Sequence, residues 1–217
     1  DCDLEKTAEG VVWAIFYNAG QICSAGSRLV VDRSVHRALV DLIVEKSKQL
    51  IPGHALNNPN FGAINSAQQL DKIDGFIERA KARGIKIACG GHKINTESGG
   101  WFYAPTIMDN VPMDDELVQQ EIFGPVLTVQ VVDDVEQAIE AANCTDFALA
   151  AGVYSQNIDQ ALMTAQGIDA GQVTVNNYWA GGIEVPFGGN KLSGIGREKG
   201  LTALENYCTT KSITLAF

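Results

Sequence analysis

The chain has 217 residues, of which 46% are hydrophobic and 19% are charged. This composition excludes a disordered or fibrous protein and supplies enough apolar side chains for one sizeable core. The 26 acidic residues outnumber the 16 basic ones, giving a formal net charge of −10. Because the basic residues form no cluster, this charge argues against nucleic acid and anionic membranes as partners.

Helical and β-rich patterns alternate along most of the chain. The helical patterns predict a helix over 3–17, a helix capped by Ser34 that ends by Pro52, a helix over 66–83, a helix capped by Asp134, a helix over 157–166 and a short helix near 198–205. Between them, the β-rich patterns predict strands at Ser27–Val31, Ile85–Ala88, Leu149–Tyr154 and Gln172–Val175, an edge strand at Tyr103–Met108 and a buried strand at Leu127–Val132. A β-rich run at Ser212–Phe217 ends the chain. This alternation predicts an α/β fold, a mostly parallel sheet with helices on both faces. We find no linker or internal repeat, so we expect one domain over residues 1–217.

The five cysteines give no sign of a disulfide framework or a metal site. Their number is odd, no Cys-x-x-Cys pair occurs, and the chain has only three histidines. We therefore expect free thiols, no bound metal and a reducing, cytoplasmic compartment. The apolar runs are too short for a signal peptide or a membrane span. The sequence starts without Met, directly in a helical pattern, which predicts that it is the interior of a longer protein.

Cys23 lies in the stretch that joins the first predicted helix to the first strand, Asn18-Ala19-Gly20-Gln21-Ile22-Cys23-Ser24-Ala25-Gly26. Glycines let the backbone turn sharply, which would hold a thiol still and leave it reachable, as a nucleophile requires. If Cys23 begins a helix or faces several backbone N–H groups, those groups favour its thiolate and can hold an oxyanion. The stretch by itself leaves a buried, inert cysteine as the alternative.

Three segments together resemble the signatures of the aldehyde dehydrogenase superfamily. They are Asn18–Arg28, Glu121–Val126 and Pro186–Glu198, and they follow the family's order over nearly the whole chain. The resemblance implies oxidation of an aldehyde to an acid with NAD or NADP, through a thiohemiacetal and a thioester on a cysteine. It also implies a homo-oligomer, a dimer or tetramer, in which the last strand at 208–217 pairs with a neighbouring subunit.

The same resemblance implies roles for particular residues. Cys23 matches the nucleophile, with its own backbone N–H as an oxyanion donor. Glu121 matches a glutamate that binds the hydroxyls of the nicotinamide ribose, and Phe123 matches an aromatic residue beside that ribose. Asn176 matches an asparagine near the active site, which either stabilises its loop or takes part in the chemistry. The residues expected around the tail of the aldehyde are Tyr17, Ile22, Ser24, Trp179 and Phe187.

Each of these roles has a plainer alternative. Glu121 could be an exposed glutamate at the end of a helix, and ordinary packing would account for Phe123 and for the pocket residues. Three further matches look structural: Lys191, Arg197 and Glu198 resemble a network within the glycine-rich loop. Arg28 resembles an ion-pair partner.

The resemblance covers less than half of a family member. The family's general-base glutamate, its oxyanion asparagine and its dinucleotide-binding domain would all precede Asp1, and no Gly-x-Gly-x-x-Gly motif opens a helix after a strand. The residue that distinguishes NAD from NADP would lie there too, so both cofactors stay open. Two other functions also stay open: an acylating enzyme that passes the thioester to coenzyme A, and a non-catalytic scaffold or oligomerisation module of the same fold.

Overall fold

The computed structural model describes residues 1–217. Short turns of 3-10 helix connect some of its elements. In chain order the helices and strands are α1 (Leu4–Phe16), β1 (Arg28–Asp32), α2 (His36–Lys48), α3 (Ala67–Ala82), β2 (Lys86–Cys89), β3 (Lys93–Ile94), β4 (Phe102–Tyr103), β5 (Thr106–Asp109), α4 (Glu116–Gln119), β6 (Val126–Val132), α5 (Val135–Asn143), β7 (Phe147–Ala148), β8 (Ala150–Val153), α6 (Ile158–Gly167), β9 (Gln172–Val175) and β10 (Asn190–Lys191).

Side-chain caps fix where most of the helices begin. A side-chain oxygen accepts a hydrogen bond from a backbone N–H in the first turn, which satisfies a donor that has no partner within the helix. The caps of this kind are Asp3, Ser66, Asp115, Asp134 and Asn157. Helix α2 begins after Val35 without a side-chain cap, because the N–H and hydroxyl of Ser34 both donate to Asp32. The prediction that Ser34 caps this helix is therefore wrong.

The principal sheet has four strands in the order β1-β6-β5-β2. Strands β1 and β5 run parallel to β6, whereas β2 pairs antiparallel with β5. A separate parallel pair joins β8 to β9. The prediction of a mostly parallel α/β fold is confirmed. The predicted edge strand at Tyr103–Met108 is wrong, because Pro105 has no N–H to donate and separates β4 from β5, and β5 lies inside the sheet.

Helices cover both faces of this sheet. On one face, α1 and α2 pack over Ile107, Leu127 and Val129. On the other face, α3 and α4 pack over Met108 and Val126. Successive strand residues point to opposite faces, so a strand that is buried on both faces is apolar at nearly every position. This explains why β6 could be predicted as a buried strand from its sequence.

The end of the chain has little regular structure. A 3-10 turn at Leu201–Tyr207 stands where a short helix was predicted near 198–205. Residues 208–217 form no strand, and they are exposed. A strand needs an edge to pair with, and no strand of this chain pairs with the tail. The predicted strand at 212–217 is thus not formed in this single chain. None of the helices has the length and apolar character that crossing a membrane demands.

Candidate active site

Cys23 lies in an exposed turn between α1 and β1. The N–H of Ala25 donates to the carbonyl of Ile22 at 2.9 Å, which closes the turn around the thiol. The N–H of Gly26 donates to the carbonyl of Ala14 at 2.9 Å, which ties the turn to the end of α1. The thiol is therefore both supported and reachable, and the alternative of a buried cysteine is excluded. A strand rather than a helix follows Cys23, so no helix N-terminus acts on it.

The backbone that leads into this turn is left-handed at three successive residues. Asn18, Ala19 and Gly20 have φ angles of 51°, 57° and 69°. A Cβ on Gly20 would overlap the carbonyl of Gly124, with the carbonyl carbon only 2.6 Å away. Because glycine lacks that atom, the Cys23 turn (residues 18–26) packs directly on the loop that contains Glu121. Two of the three signature segments are thus in contact.

The loop of Glu121 is held from outside by α3. Lys72 Nζ donates to the carbonyl of Glu121 at 3.0 Å, and Gln69 Nε2 donates to the carbonyls of Ile122 and Phe123 at 2.8 and 3.1 Å. Phe123 has a φ of 59°, which is uncommon for an aromatic side chain. The side chain of Glu121 is exposed and lines the same cleft of about 640 Å³ as Cys23.

Four aromatic rings form a wall beside the Cys23 turn. Trp13 and Tyr17 are one helical turn apart, with ring centroids separated by 5.3 Å. Tyr17 meets Trp179 at 6.2 Å, and Trp179 meets Tyr178 at 5.2 Å, all edge to face. A Cβ on Gly26 would lie 3.2 Å from the ring of Tyr178, so the wall directly flanks the segment that carries Cys23.

The remaining residues predicted for the pocket lie in two places: Ser24 and Ile22 at the Cys23 turn, and Phe187 in the glycine-rich loop. Ser24 lines the cleft beside Cys23, and Ile22 supplies the carbonyl that closes the turn. Phe187 forms an antiparallel bridge with Glu198, and the ammonium of Lys199 lies 5.7 Å from its ring centroid. It takes no part in the ring contacts that join Tyr17 to Trp179.

Asn176 is occupied by backbone contacts. Its side-chain oxygen accepts from the N–H of Ser155 and its amide donates to the carbonyl of Ser155, each at 2.9 Å. Its own N–H donates to the carbonyl of Val153 at 2.7 Å. These three bonds join the end of β9 to the end of β8. Of the two roles expected for Asn176, the geometry favours stabilisation of the loop.

Arg28 contacts backbone carbonyls and not a carboxylate. Its guanidinium donates to the carbonyls of Ala141 and Ala142 at 3.0 and 2.7 Å. These carbonyls lie in the last turn of α5, where they lack partners within the helix and where a cation is favoured by the helix dipole. The expectation of an ion pair for Arg28 is wrong, and the residue instead joins β1 to the end of α5.

Part of the expected network in the glycine-rich loop is present. Lys191 pairs with Asp169 at 2.8 Å and donates to the carbonyl of Asn143. Arg197 donates to the carbonyl of Gly189 at 2.8 Å. Glu198 contributes through its backbone, which exchanges two hydrogen bonds with Phe187 at 2.7 Å.

Four residues at the site were not found by sequence reasoning: Trp13, Gln69, Lys72 and Tyr178. The first could have been found, since it lies four residues before Tyr17 and shares its helix face. Gln69 and Lys72 gave no such signal, because their partners lie on a loop far along the chain.

Burial raises the pKa of the Cys89 thiol, so Cys89 is poorly suited to act as a nucleophile.

Comparison with known proteins gives one consistent result. A family model described as "Aldehyde dehydrogenase family" matches residues 1–213. The chain is 37% identical to a 4-trimethylaminobutyraldehyde dehydrogenase of Oryzias latipes, over 99% of this chain and 44% of that protein. A solved structure of indole-3-acetaldehyde dehydrogenase with NAD+ matches with a TM-score of 0.93 and 40% identity, over 95% of this chain and 42% of that one. Betaine aldehyde dehydrogenase of Staphylococcus aureus with NAD+ matches with a TM-score of 0.93 and 33% identity, over 97% and 44%. The chain therefore spans less than half the length of these relatives.

Proposed function

Because the chain belongs to the aldehyde dehydrogenase family, we propose that it is the catalytic half of an NAD(P)-dependent enzyme that oxidises an aldehyde to a carboxylic acid. The observation that carries the proposal is the exposed Cys23, held by Gly20 against the loop of Glu121. In this proposal, residues 1–217 form one catalytic domain, and 208–217 is the strand that a neighbouring subunit completes.

Cys23 acts as the nucleophile. Its thiolate adds to the aldehyde carbon, and the resulting thiohemiacetal keeps the carbon-bound hydrogen. The oxyanion on this adduct accepts a hydrogen bond from the backbone N–H of Cys23. Loss of a hydride converts the adduct to a thioester, for which NAD(P)+ supplies the acceptor. Water then releases the acid and restores the thiol. The general base for this last step belongs to the part of the enzyme that would precede Asp1.

The residues on the Glu121 loop fit a nicotinamide ribose. The side chain of Glu121 is exposed on the cleft, and only its backbone carbonyl accepts a hydrogen bond from a side chain, that of Lys72. The carboxylate is therefore free to accept two hydrogen bonds from a vicinal diol. Phe123 stands two residues away on the same loop and is suited to pack beside the sugar. The binding of the rest of the dinucleotide falls to residues outside this chain.

The aromatic wall favours an aldehyde with an aromatic or a quaternary ammonium tail. The rings of Trp13, Tyr17 and Trp179 offer both faces and edges, and aromatic faces attract cations as well as other rings. The names of the relatives include aldehydes of both kinds. Within the proposed pocket, Ser24, Ile22 and Phe187 would also border the tail of the aldehyde.

The partners follow from the same proposal. We infer a small-molecule aldehyde as substrate, a dimer or tetramer of identical subunits, no nucleic acid or membrane contact, and a cytoplasmic location. The acidic net charge and the five free cysteines support these inferences.

The test is to express the full-length reading frame that contains this chain and to assay NAD+ and NADP+ reduction. The substrates are 4-trimethylaminobutyraldehyde, betaine aldehyde and indole-3-acetaldehyde, each with and without coenzyme A. Turnover that does not need coenzyme A supports the proposal, and strict dependence on coenzyme A would instead indicate an acylating enzyme. An absence of turnover, together with a Cys23 thiol that is alkylated as slowly as Cys89, would indicate a scaffold.

A further inference from the structure

We propose that Gln69 is a positioning residue that sets the Glu121 loop relative to the Cys23 turn. The inference rests on the proposed function, since it concerns the alignment of the nucleophile with the residue that faces the cofactor. It is drawn from three sets of contacts around the entrance of α3, which we define as residues 63–69.

The first set joins Gln69 to the loop. Its side-chain amide donates to the carbonyls of both Ile122 and Phe123, at 2.8 and 3.1 Å. Phe123 is left-handed, a conformation that costs a residue with a side chain about 1–2 kcal/mol. A strained residue keeps such a conformation only when its surroundings hold it. The two hydrogen bonds from Gln69 provide that hold at the strained residue and its neighbour.

The second observation is that Gln69 departs from a local rule. Ser66 and Gln69 form the sequence pattern of a capping box, in which the glutamine side chain returns to the N–H of the cap. Half of the box is present, because Ser66 Oγ accepts from the Gln69 N–H at 3.1 Å. The glutamine side chain instead reaches the distant loop. The chain thus uses this side chain for a long-range contact and not for the stability of its own helix.

The third set joins the same entrance to the Cys23 turn. Gln21 accepts a hydrogen bond from the N–H of Asn65 at 2.8 Å and donates to the carbonyl of Ala63 at 3.2 Å. Gln21 stands two residues before Cys23. Together with the packing of Gly20 on Gly124, these bonds connect turn, entrance and loop in a closed triangle. Moving the loop away from Gln69 would therefore change its distance from Cys23.

The test compares Gln69→Met with Gln68→Met in the full-length enzyme. Methionine keeps the length of the side chain and removes the donor, and Gln68 is an exposed neighbour on the same helix. For Gln69→Met we expect the KM for NAD(P)+ to rise about tenfold, the size of effect that the loss of one or two neutral hydrogen bonds produces. The KM for the aldehyde should stay within twofold of the wild type, and Gln68→Met should change neither constant.

A second measurement needs no activity and uses the 217-residue chain. Cleavage by a protease requires local opening of the backbone around the cut, so the rate at which a glutamate-specific protease cuts after Glu121 measures how often this loop opens. We expect Gln69→Met to speed this cut at least fivefold relative to Gln68→Met. Cutting after the exposed Glu97 and after Glu140 in α5 should not change, which excludes general unfolding as the cause.

The outcomes separate the two proposals. If the wild-type enzyme oxidises no aldehyde, the proposed function fails, and the protease experiment still decides whether Gln69 holds the loop. Equal KM values and equal cutting rates in the two variants would overturn the positioning role. So would a fall in kcat and in thermal stability with both KM values unchanged, because that pattern marks a residue that only stabilises the fold.

Discussion

Replacing Gly20 with alanine should separate the Cys23 turn from the Glu121 loop. Gly20 has a φ of 69°, and an alanine in this left-handed region costs about 1–2 kcal/mol. The new Cβ would also stand 2.6 Å from the carbonyl carbon of Gly124 and 3.1 Å from the carbonyl oxygen of Ile15. Both obstacles are backbone atoms, so one segment must shift, and such overpacking costs about 1–3 kcal/mol. We therefore expect Gly20→Ala to lower the free energy of unfolding by about 2–5 kcal/mol.

Gly84 offers a matched control, because it shares the conformation and lacks the contact. Its φ is 79°, and a Cβ built there meets no atom within 4 Å. Gly84→Ala should therefore cost only the conformational part, about 1–2 kcal/mol. Urea unfolding of the two variants and the wild-type chain measures both losses, and their difference isolates the contact of Gly20 with Gly124. Equal losses in the two variants would refute the reasoning that this contact aligns the site.

Four other changes test the remaining parts of the structure. Cys23→Ala should abolish dehydrogenase turnover of the full-length enzyme. Because the side chain is exposed, the same change should alter the free energy of unfolding by less than about 0.5 kcal/mol. Retained turnover would exclude Cys23 as the nucleophile. Glu121→Gln should raise the KM for NAD(P)+ or slow hydride transfer without changing aldehyde binding, because an amide accepts hydrogen bonds less strongly than a carboxylate. Unaltered cofactor kinetics in this variant would argue against a contact between Glu121 and the ribose. Burial would raise the pKa of Asp109, but hydrogen bonds from Lys86 and His36 hold this pKa below its ordinary value of 3.8. The carboxylate therefore stabilises the fold above that pH, and this stabilisation is lost as the pH falls through the lowered pKa. Asp109→Asn should lower the free energy of unfolding by about 2 kcal/mol at pH 7 and by progressively less in acid, which urea unfolding at several pH values measures. Deleting residues 212–217 should prevent self-association of the 217-residue chain, which sedimentation at increasing concentration measures; a wild-type chain that stays monomeric would contradict this expectation.

The elements that could be predicted from the sequence are those whose signals are local. The 66–83 helix was predicted within a residue at either end because Ser66 is a good cap and apolar residues recur on one face. The Gln172–Val175 strand was predicted with its exact bounds. The position of β5 inside the sheet could not be predicted, because the order of strands depends on partners that lie far along the chain.

The same division holds at the site. The motifs predicted roles for Cys23 and Glu121, and the structure places both residues on one cleft. The glycine-rich turn predicted a reachable thiol, and Cys23 is exposed. The sequence could not predict that Arg28 would donate to the last carbonyls of α5. The position of an arginine in the sequence does not show whether a carboxylate or a backbone carbonyl will accept its hydrogen bonds. Nor could the sequence separate Phe187 from Trp179, which lie in one loop of the sequence but make different contacts in the structure.

Four of the residues that break local rules lie where the Cys23 turn and the Glu121 loop meet. Asn18, Ala19 and Phe123 are all left-handed although each has a side chain, and Gln69 leaves its capping box. Each departure costs stability at its own position. In the same place, contacts of Gly20, Gln21 and Gln69 join the Cys23 turn, the Glu121 loop and the entrance of α3. The fold thus accepts local strain at points where it fixes Cys23 and Glu121 relative to one another, and this is the arrangement that the proposed function requires of a nucleophilic thiol and a carboxylate that binds the cofactor.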